Sequence, residues 1–183
     1  MKDVHLLTGN KDKIKAANRV FNQYDVNVLP LQLDIPEIQA STSSEIAAYM
    51  VKAAYELTGK PIIREDHSFF IDELGFPGPF MAYTDKTISA EQLLAIVNTL
   101  KSRYAHFELG AAYIDAGGEI HTFSYRVPVV ISKEIRGSDS YNWERLMMLP
   151  GETKTFAETS STDREHLWTN NFTEIAKLIH SAE

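Results

Sequence analysis

Hydrophobic and polar positions near the start of the chain follow two different spacings, and together they predict a strand–helix–strand unit. A short, mostly apolar run at Val4–Leu7 is typical of a buried strand. The apolar residues within Lys11–Tyr24 recur at helical spacing, which indicates an amphipathic helix. Apolar residues dominate again at Val26–Leu33, which predicts a second strand.

A second helix and a third strand are predicted next. Thr42 and Glu45 have the spacing of a capping box, a pair of side chains that bond to each other's backbone at the start of a helix. Gly59 predicts the end of this helix, because glycine adopts the left-handed backbone that closes helices. The residues expected to face inward are Ile46, Met50, Ala53 and Leu57. Pro61–Arg64 then predicts a buried strand.

The second half of the chain alternates turn signals with periodic segments. Gly75–Pro79 is rich in glycine and proline, which predicts a loop. Ser89–Ser102 is predicted to be a helix that Ser89 caps. Tyr104–Asp115 and Glu119–Ser132 alternate like strands, and the two glycines between them predict a hairpin. With a last helix at Phe172–Ser181, these elements predict a mixed α/β fold with a central mixed β-sheet flanked by helices.

Composition narrows the class of protein. A chain of 183 residues with 44% hydrophobic residues is expected to form a single domain, 1–183, with a substantial core. Its net charge of −7 disfavours binding to nucleic acid, which needs a broad basic face. No residue is cysteine, which excludes disulfides, thiolate metal sites and cysteine nucleophiles. No apolar run approaches the ~20 residues of a membrane span, and no signal peptide follows Met1, so a cytoplasmic protein is expected.

The first candidate site is the turn Thr8-Gly9-Asn10 with Lys13 in the helix that follows. Gly9 allows a ligand to approach the backbone closely, and backbone amides at a helix start can hold phosphate oxygens. Thr8 and Asn10 add side-chain donors, and Lys13 adds a positive charge. The alternative interpretation is a helix cap followed by solvated lysines.

The second candidate site is the pair Glu65-Asp66, which directly follows the predicted strand. Acids at the carboxyl end of a buried strand lie where open α/β sheets bind ligands, and paired carboxylates suit Mg²⁺. The alternative interpretation is a charged loop in which Glu65 pairs with Arg64. Glu37 is a third candidate carboxylate, in a loop after the second strand.

A fourth candidate segment carries aromatic and acidic residues that suit a planar base. Tyr141 and Trp143 have rings that can stack on a base, and Glu144 can hydrogen-bond its edge. Such aromatic residues equally suit a hydrophobic core.

Taken in order, these segments resemble the inosine triphosphate pyrophosphatase family, whose members remove non-standard purine nucleotides. That family opens with a strand and a TGNxxK loop, which Thr8–Lys13 matches. Its later motifs are an LPEIQ-like stretch, an ED[ST]- or DDS-type acid pair, an ALGGxPGPY-like loop and a GWDP motif followed by PxGxxxTFAE. The matching segments are Ile35–Gln39, Glu65–Ser68, Glu73–Phe80, Trp143–Arg145 and Pro150–Glu158. The resemblance therefore covers nearly the whole chain.

The resemblance implies a homodimer with two lobes and a substrate cleft between them. It also implies Mg²⁺-dependent hydrolysis of a nucleoside triphosphate to the monophosphate and pyrophosphate, with Mn²⁺ acceptable to the same oxygen ligands. The phosphate chain would be held by Thr8, Gly9, Asn10 and Lys13. Glu37 and Asp66 would hold the metal with Glu65 in support, and Asp66 would orient or deprotonate the attacking water.

The sequence departs from the family pattern mainly where the base is bound. In the second helix, a family lysine falls on Met50, or on Lys52 if the alignment shifts. The other departures are Ala16 for an acid, Glu144 and Arg145 for Asp-Pro, Arg164 for a lysine, and Trp168-Thr169-Asn170 for Ser-His-Arg. Loss of donors aimed at a base changes discrimination. We therefore expect altered base specificity, with Arg145 or Arg164 supplying charge and Trp168 stacking.

Two other functions fit the same residues. One is hydrolysis of a different pyrophosphate-bearing molecule, such as a nucleotide sugar or a pyrimidine triphosphate. The other is nucleotide binding without catalysis, which the departure at Ala16 and the missing Ser-His-Arg favour. The combination of Lys13, Glu37 and Asp66 favours an enzyme, because a non-catalytic site does not require all three.

Overall fold

A computed structural model describes residues 2–138 and 142–181 of the chain. Over these residues the backbone forms seven strands and six α-helices, which confirms the predicted mixed α/β fold. The strands are Lys2–Leu7 (β1), Val26–Leu31 (β2), Ile62–Ile71 (β3), Phe76–Gly78 (β4), Tyr104–Ile114 (β5), Ile120–Ile131 (β6) and Met147–Met148 (β7). The helices are Lys11–Phe21 (α1), Ser43–Thr58 (α2), Met81–Thr87 (α3), Ala90–Val97 (α4), Ser161–Arg164 (α5) and Asn170–Ser181 (α6).

The strands pair in the order β2-β1-β3-β5-β6-β7, and β4 pairs with β3 off this path. β1 runs parallel to β2, from the pair of Lys2 with Val26 to the pair of Leu7 with Leu31. It also runs parallel to β3, where Leu6 is opposite Ile63. Because β1, β2 and β3 run in the same direction, the residues that follow β1 and β2 lie at the same edge of the sheet, beside the middle of β3.

Helix α2 begins and ends where the sequence predicts. Thr42 and Glu45 form the capping box, and Gly59 closes the helix with a left-handed φ of 64°. The inward-facing residues are partly different from those predicted, because Val51 and Ala54 are buried while Leu57 is 69% exposed. The prediction for Leu57 was therefore wrong, since the buried stripe ends before the last turn.

The largest error concerns β3. The sequence predicted a short strand at Pro61–Arg64 followed by a polar loop, whereas β3 continues through the polar residues to Ile71. Apolar residues resume after Ser68, and they pair antiparallel with Phe76–Gly78, which was predicted to be loop. The polar residues therefore interrupt the apolar pattern without ending the strand.

Other boundaries differ by smaller amounts. α3 was not predicted, and α4 ends at Val97 rather than near Ser102. The predicted first helix finishes as a 3-10 turn at Asn22–Tyr24. The predicted hairpin is present, since the Asp115 and Glu119 backbones bond across the turn between β5 and β6.

The chain divides into two compact units. Unit 1 comprises residues 1–66, 109–125 and 166–183, and unit 2 comprises residues 67–108 and 126–165. β3, β5 and β6 each contribute residues to both units. Among the described residues, no helix has the length and apolar character needed to cross a membrane.

Within the described residues of unit 1, two hydrophobic clusters contain residues from opposite faces of its strands. The first joins residues of α1 and α6 to Leu6 and Ile63. The second joins residues of α2 to Leu7 and Ile62. Adjacent strand residues point to opposite faces, so the pairs Leu6–Leu7 and Ile62–Ile63 each serve both clusters.

The core of unit 2 is built around aromatic rings. The Phe69 ring centroid lies 4.9 Å from that of Phe107 and 6.2 Å from that of Trp143. Phe107 in turn stacks on Phe156 at 6.5 Å. Offset and edge-on contacts of this kind are the arrangements that aromatic pairs prefer.

Gly110 permits a close contact within unit 1 between β5 and the start of α2. A Cβ atom at this position would lie 2.2 Å from the backbone nitrogen of Ser44. We expect Gly110→Ala to destabilise the fold by about 3 kcal/mol, because backbone atoms cannot move aside as a flexible side chain can. Urea denaturation followed by circular dichroism measures the change.

Gly9→Ala is the matched control for that experiment. A Cβ atom at Gly9 would meet only the Gln32 side-chain nitrogen, at an ordinary contact distance of 3.6 Å. Equal stability losses in the two variants would contradict the close contact at Gly110.

Candidate active site

The turn between β1 and α1 is held in shape by its own polar side chains. The Thr8 hydroxyl oxygen accepts a hydrogen bond from the Asn10 backbone N–H at 3.1 Å. The Asn10 side-chain oxygen accepts from the N–H groups of Asp12 at 2.8 Å and Lys13 at 3.3 Å. Asn10 is therefore the N-cap of α1, as the alternative interpretation of the sequence proposed.

This cap changes how the turn can bind an anion. Two amides at the helix start that were expected to hold phosphate oxygens already donate to Asn10. The side-chain donors of the turn are the Thr8 hydroxyl and the Asn10 amide nitrogen. Beside Gly9 there is room for a Cβ atom, which would lie in ordinary contact with Gln32 at 3.6 Å.

Lys13 points toward the polar part of β3. Its ammonium donates to the backbone carbonyl of Glu65 at 2.8 Å and lies 3.9 Å from the Glu65 Oε2 atom. Burial lowers the pKa of Lys13, while the carboxylates of Glu65 and Asp66 act in the opposite direction. Lys11 and Lys15, on the same helix, are exposed. Of these three lysines, Lys13 is therefore the one that contacts the polar residues of β3.

Strand alternation separates the two adjacent acids. Glu65 follows Ile63 at an interval of two residues, and these side chains share the face that α1 covers. Arg64 and Asp66 occupy the other face, which Ile62 shares. The expected side-by-side carboxylate pair is consequently absent: Glu65 serves Lys13, while Asp66 lies with Arg64.

Arg64 connects the end of β1, the segment after β2 and its own strand, β3. Its Nη1 donates to the Leu7 carbonyl at the end of β1, at 3.2 Å. Its Nη2 lies 2.7 Å from Oε1 of Glu37, in the segment after β2, and 3.9 Å from Oδ1 of Asp66 in β3. We call Arg64, Glu37 and Asp66 the cationic bridge. The alternative interpretation paired Arg64 with Glu65, whereas in the structure the Arg64 guanidinium reaches Glu37 and Asp66.

The two carboxylates of the cationic bridge, those of Glu37 and Asp66, suit a hard divalent cation. Carboxylate oxygens are the ligands that Mg²⁺ and Mn²⁺ prefer, and Glu37 and Asp66 already share one cationic partner. Among the described residues, the three acidic or histidine groups close enough to share an ion are instead Asp115, Glu119 and His121. There the Asp115 oxygen already accepts turn N–H groups.

Lys52 does not join this group in the structure. It lies on α2 with an exposed side chain, and among the described residues no hydrogen bond or ion pair holds it. Met50, the other candidate for the same role, is buried in the core with 5% exposure.

Unit 2 contains a second charged group. The Arg164 guanidinium pairs with Glu144 at 3.0 Å and lies over the Phe156 ring, 4.7 Å from its centroid. Arg145 lies 3.9 Å from Glu91. Arg164 is fixed by an acid and an aromatic face, so its charge is already largely compensated.

Trp143 belongs to the core of unit 2. It is 1% exposed, and its ring nitrogen donates to the Ile88 carbonyl at 2.8 Å. Its buried ring has no face for a base, so the core interpretation of this aromatic residue is the correct one. Tyr141 lies outside the described residues.

The comparison with known proteins decides the family. The sequence profile of the Ham1 family matches residues 4–168. The chain belongs to the Ham1 family. The family resemblance predicted from the sequence is thereby confirmed.

Several relatives of this chain are named dITP/XTP pyrophosphatase. The protein from Methanopyrus kandleri is 36% identical over 152 residues, which cover 82% of this chain and 81% of the relative. The protein from Thermococcus kodakarensis is 35% identical over 162 residues, which cover 88% and 87%.

Solved Ham1 structures share the fold. A HAM1 protein from Coxiella burnetii superposes with a TM-score of 0.83 at 18% identity, and each chain is covered completely. The Ham1 protein from Staphylococcus aureus gives a TM-score of 0.82 at 21% identity, again with both chains covered completely.

The last segment that departs from the Ham1 pattern lies at the start of α6. Trp168 ends a 3-10 turn, and Asn170 begins the helix. Thr169 accepts bonds from the backbone and hydroxyl of Thr173 through its carbonyl. The helix therefore begins two residues before the predicted start at Phe172, within the segment Trp168-Thr169-Asn170.

Arg64 is the site residue that sequence reasoning missed. It was treated only as a partner for Glu65. A signal was present, since Arg64 and Asp66 are two residues apart and would share a face if the strand continued. The prediction of a loop after Arg64 hid that relation.

Loss of Lys13 tests how its ion pair supports the fold of unit 1. We expect Lys13→Met to destabilise the protein by about 1–3 kcal/mol, because the buried Glu65 carboxylate loses its ammonium partner. Lys15→Met removes the same charge from an exposed position of α1 and should change stability by less than about 0.5 kcal/mol. Chemical denaturation at neutral pH measures both, and equal losses would contradict the assignment.

Proposed function

We propose that this protein hydrolyses non-standard purine nucleoside triphosphates, such as ITP and XTP, to the monophosphate and pyrophosphate. Family membership and the relatives' names make it a nucleoside triphosphate pyrophosphatase. The observation that carries the proposal for the site is the gathering of Thr8, Lys13 and the cationic bridge where β1, β2 and β3 adjoin.

The phosphate chain is proposed to bind beside the β1–α1 turn. The Thr8 hydroxyl and the Asn10 side-chain amide supply neutral donors, and Lys13 supplies a charge. Gly9 supports this role because a Cβ atom there would meet only Gln32, at an ordinary contact distance. Lys52 is kept as a candidate phosphate ligand, since its long, exposed side chain on α2 has no hydrogen bond or ion pair within the described part of the chain.

Glu37 and Asp66 are the proposed metal ligands, with Mg²⁺ or Mn²⁺ as the ion. A bound divalent cation would supply neutralising charge on the phosphates and lower the pKa of water. Glu65 contributes indirectly, because it holds the Lys13 ammonium in place.

The proposed reaction is a single displacement at the α-phosphorus. The oxygen of water adds to that phosphorus, and the bond from the phosphorus to the α,β-bridging oxygen breaks. Asp66 orients the water and accepts its proton, while pyrophosphate leaves with the electron pair of the broken bond. Lys13 stabilises the charge that grows on the bridging oxygen.

Glu144, Arg164 and Arg145 are the proposed contacts for the base. Glu144 offers the base a hydrogen-bond acceptor, and Arg164 offers a donor. Because the two side chains already bond to each other, neither can turn freely toward a ligand. Arg145, which lies 3.9 Å from Glu91, is a second candidate for the missing cationic contact. The homodimer implied by the resemblance and the cytoplasmic setting expected from the composition belong to the same proposal.

Substrate turnover is the first test. Purified protein is incubated with Mg²⁺ and inosine, xanthosine, guanosine and pyrimidine triphosphates, and pyrophosphate is measured against orthophosphate. We expect pyrophosphate from the inosine and xanthosine forms, and a loss of about 100-fold or more in Asp66→Asn, because that variant cannot accept the proton.

Asp3→Asn is the matched control, since it removes an exposed carboxylate at the opposite end of β1. Release of pyrophosphate from no triphosphate by a folded protein would overturn the proposal. Ligand-induced stabilisation without turnover would then favour a binding protein.

A second prediction concerns base preference. We expect the double variant Arg145→Met/Arg164→Met to change the rank order of triphosphates by kcat/KM by about tenfold, because charged donors to a base discriminate strongly. Competition assays between pairs of triphosphates measure this ratio. An unchanged rank order would show that neither arginine contributes to recognition of the base.

A further inference from the structure

Arg64 occupies the position that a cation would take between Glu37 and Asp66. One nitrogen atom, Nη2, lies 2.7 Å from a Glu37 oxygen and 3.9 Å from an Asp66 oxygen. The Arg64 side chain is only 19% exposed, and Nη1 is fixed by the Leu7 carbonyl. The guanidinium is thus held in place on more than one side.

The proposed metal ligands are therefore already engaged by a cation. A guanidinium keeps its positive charge at physiological pH, so this competitor leaves only if the side chain moves. A divalent cation that binds Oε1 of Glu37 must displace the Arg64 nitrogen from that oxygen. Two positive charges drawn to the same carboxylates also repel each other, which disfavours simultaneous binding.

Arg64 retains a donor for a new partner. Its buried Nε–H has no hydrogen-bond acceptor among the described residues. The guanidinium also adjoins the end of β1, where Leu7 leads directly into the proposed phosphate-binding turn at Thr8. A phosphate oxygen is the acceptor that best matches a guanidinium, because two parallel hydrogen bonds can form.

We propose that Arg64 is an exchangeable internal cation that makes binding of the divalent metal depend on binding of the phosphate chain. In the metal-free protein the guanidinium neutralises Glu37 and Asp66. When phosphates bind, they accept the guanidinium and release Glu37 to the metal. This inference rests on the proposed function for the identity of the metal ligands and the phosphate site.

The two ligands are consequently coupled. Anything that favours the state in which Arg64 is turned away from Glu37 strengthens metal binding, and the effect is reciprocal for equilibrium binding. Removal of Arg64 removes the competitor for the metal, but it also removes a donor for phosphate. The two affinities should therefore change in opposite directions, which general damage to the site does not produce.

Mn²⁺ alone is the first probe. Free Mn²⁺ is measured by electron paramagnetic resonance while nucleotide-free protein is titrated, and wild type is compared with Arg64→Met. We expect Mn²⁺ to bind about fivefold more tightly to Arg64→Met than to wild type. In the variant, Mn²⁺ does not have to displace the guanidinium from the half-exposed Glu37 carboxylate.

Inorganic pyrophosphate is the second probe, used with a metal chelator present. Isothermal titration calorimetry compares the same two proteins. We expect pyrophosphate to bind about tenfold more weakly to Arg64→Met, because a charge-assisted donor to phosphate is missing. Arg64→Lys keeps the charge without the fork of parallel donors and should give intermediate values in both titrations.

Three controls make the result specific. Arg126→Met removes an arginine that is 67% exposed and should change neither affinity. Adding Glu37→Gln to Arg64→Met should abolish the gain in Mn²⁺ affinity, because that gain acts through Glu37. Circular dichroism establishes that each variant is folded, and Arg64→Lys serves if Arg64→Met is not.

The inference is overturned if Arg64→Met binds Mn²⁺ no more tightly than wild type, or if pyrophosphate binding does not weaken. Failure of the proposed function is detected separately, as absence of pyrophosphate release by wild-type protein. Active wild-type enzyme with unchanged titrations would refute the role of Arg64 and leave the proposed reaction intact.

Discussion

Parallel pairing of β1 with both β2 and β3 determines where the chemistry of this protein can occur. The pairing extends to Leu7 and Leu31, so the turn after β1 and the segment after β2 begin at the same level of the sheet. β3 passes this level while carrying Arg64 and Asp66. Three stretches that are distant in the sequence thereby place polar groups within hydrogen-bonding reach of one another.

The alternation of β3 then sorts these groups by charge. Glu65 faces the α1 side and is matched by Lys13, whereas Asp66 faces the α2 side and shares Arg64 with Glu37. Each buried or half-buried carboxylate thus has a cation nearby, which keeps the cost of burying charge low. A strand with acids at alternate positions would instead have crowded like charges on one face.

Local signals in the sequence predicted much of the fold, because capping and turn residues determine where helices and hairpins begin and end. The capping box at Thr42, the closing glycine at Gly59 and the hairpin glycines all act through nearby backbone atoms. β3 was truncated in the prediction because its polar residues are compensated by partners far along the chain, such as Lys13 and Glu37. Periodicity within a short window contains no information about such partners.

The candidate site was likewise predicted only in outline, because local motifs identify residues but do not show which distant residues they contact. Residues that belong to contiguous motifs, such as Thr8, Asn10 and Asp66, were found from the sequence. The cap that Asn10 forms and the bridge that Arg64 forms depend on three-dimensional geometry. The burial of Trp143 likewise follows from contacts with Phe69, which the sequence does not place beside it.

Two glycines of unit 1 illustrate how differently one residue type can be constrained over evolutionary time. At Gly110 the backbone of a neighbouring helix leaves no room for any side chain, so replacement is selected against wherever this packing persists. At Gly9 the fold itself tolerates a methyl group. In a descendant that kept this fold but no longer bound a ligand at the turn, Gly9 could therefore be replaced by another residue without loss of stability.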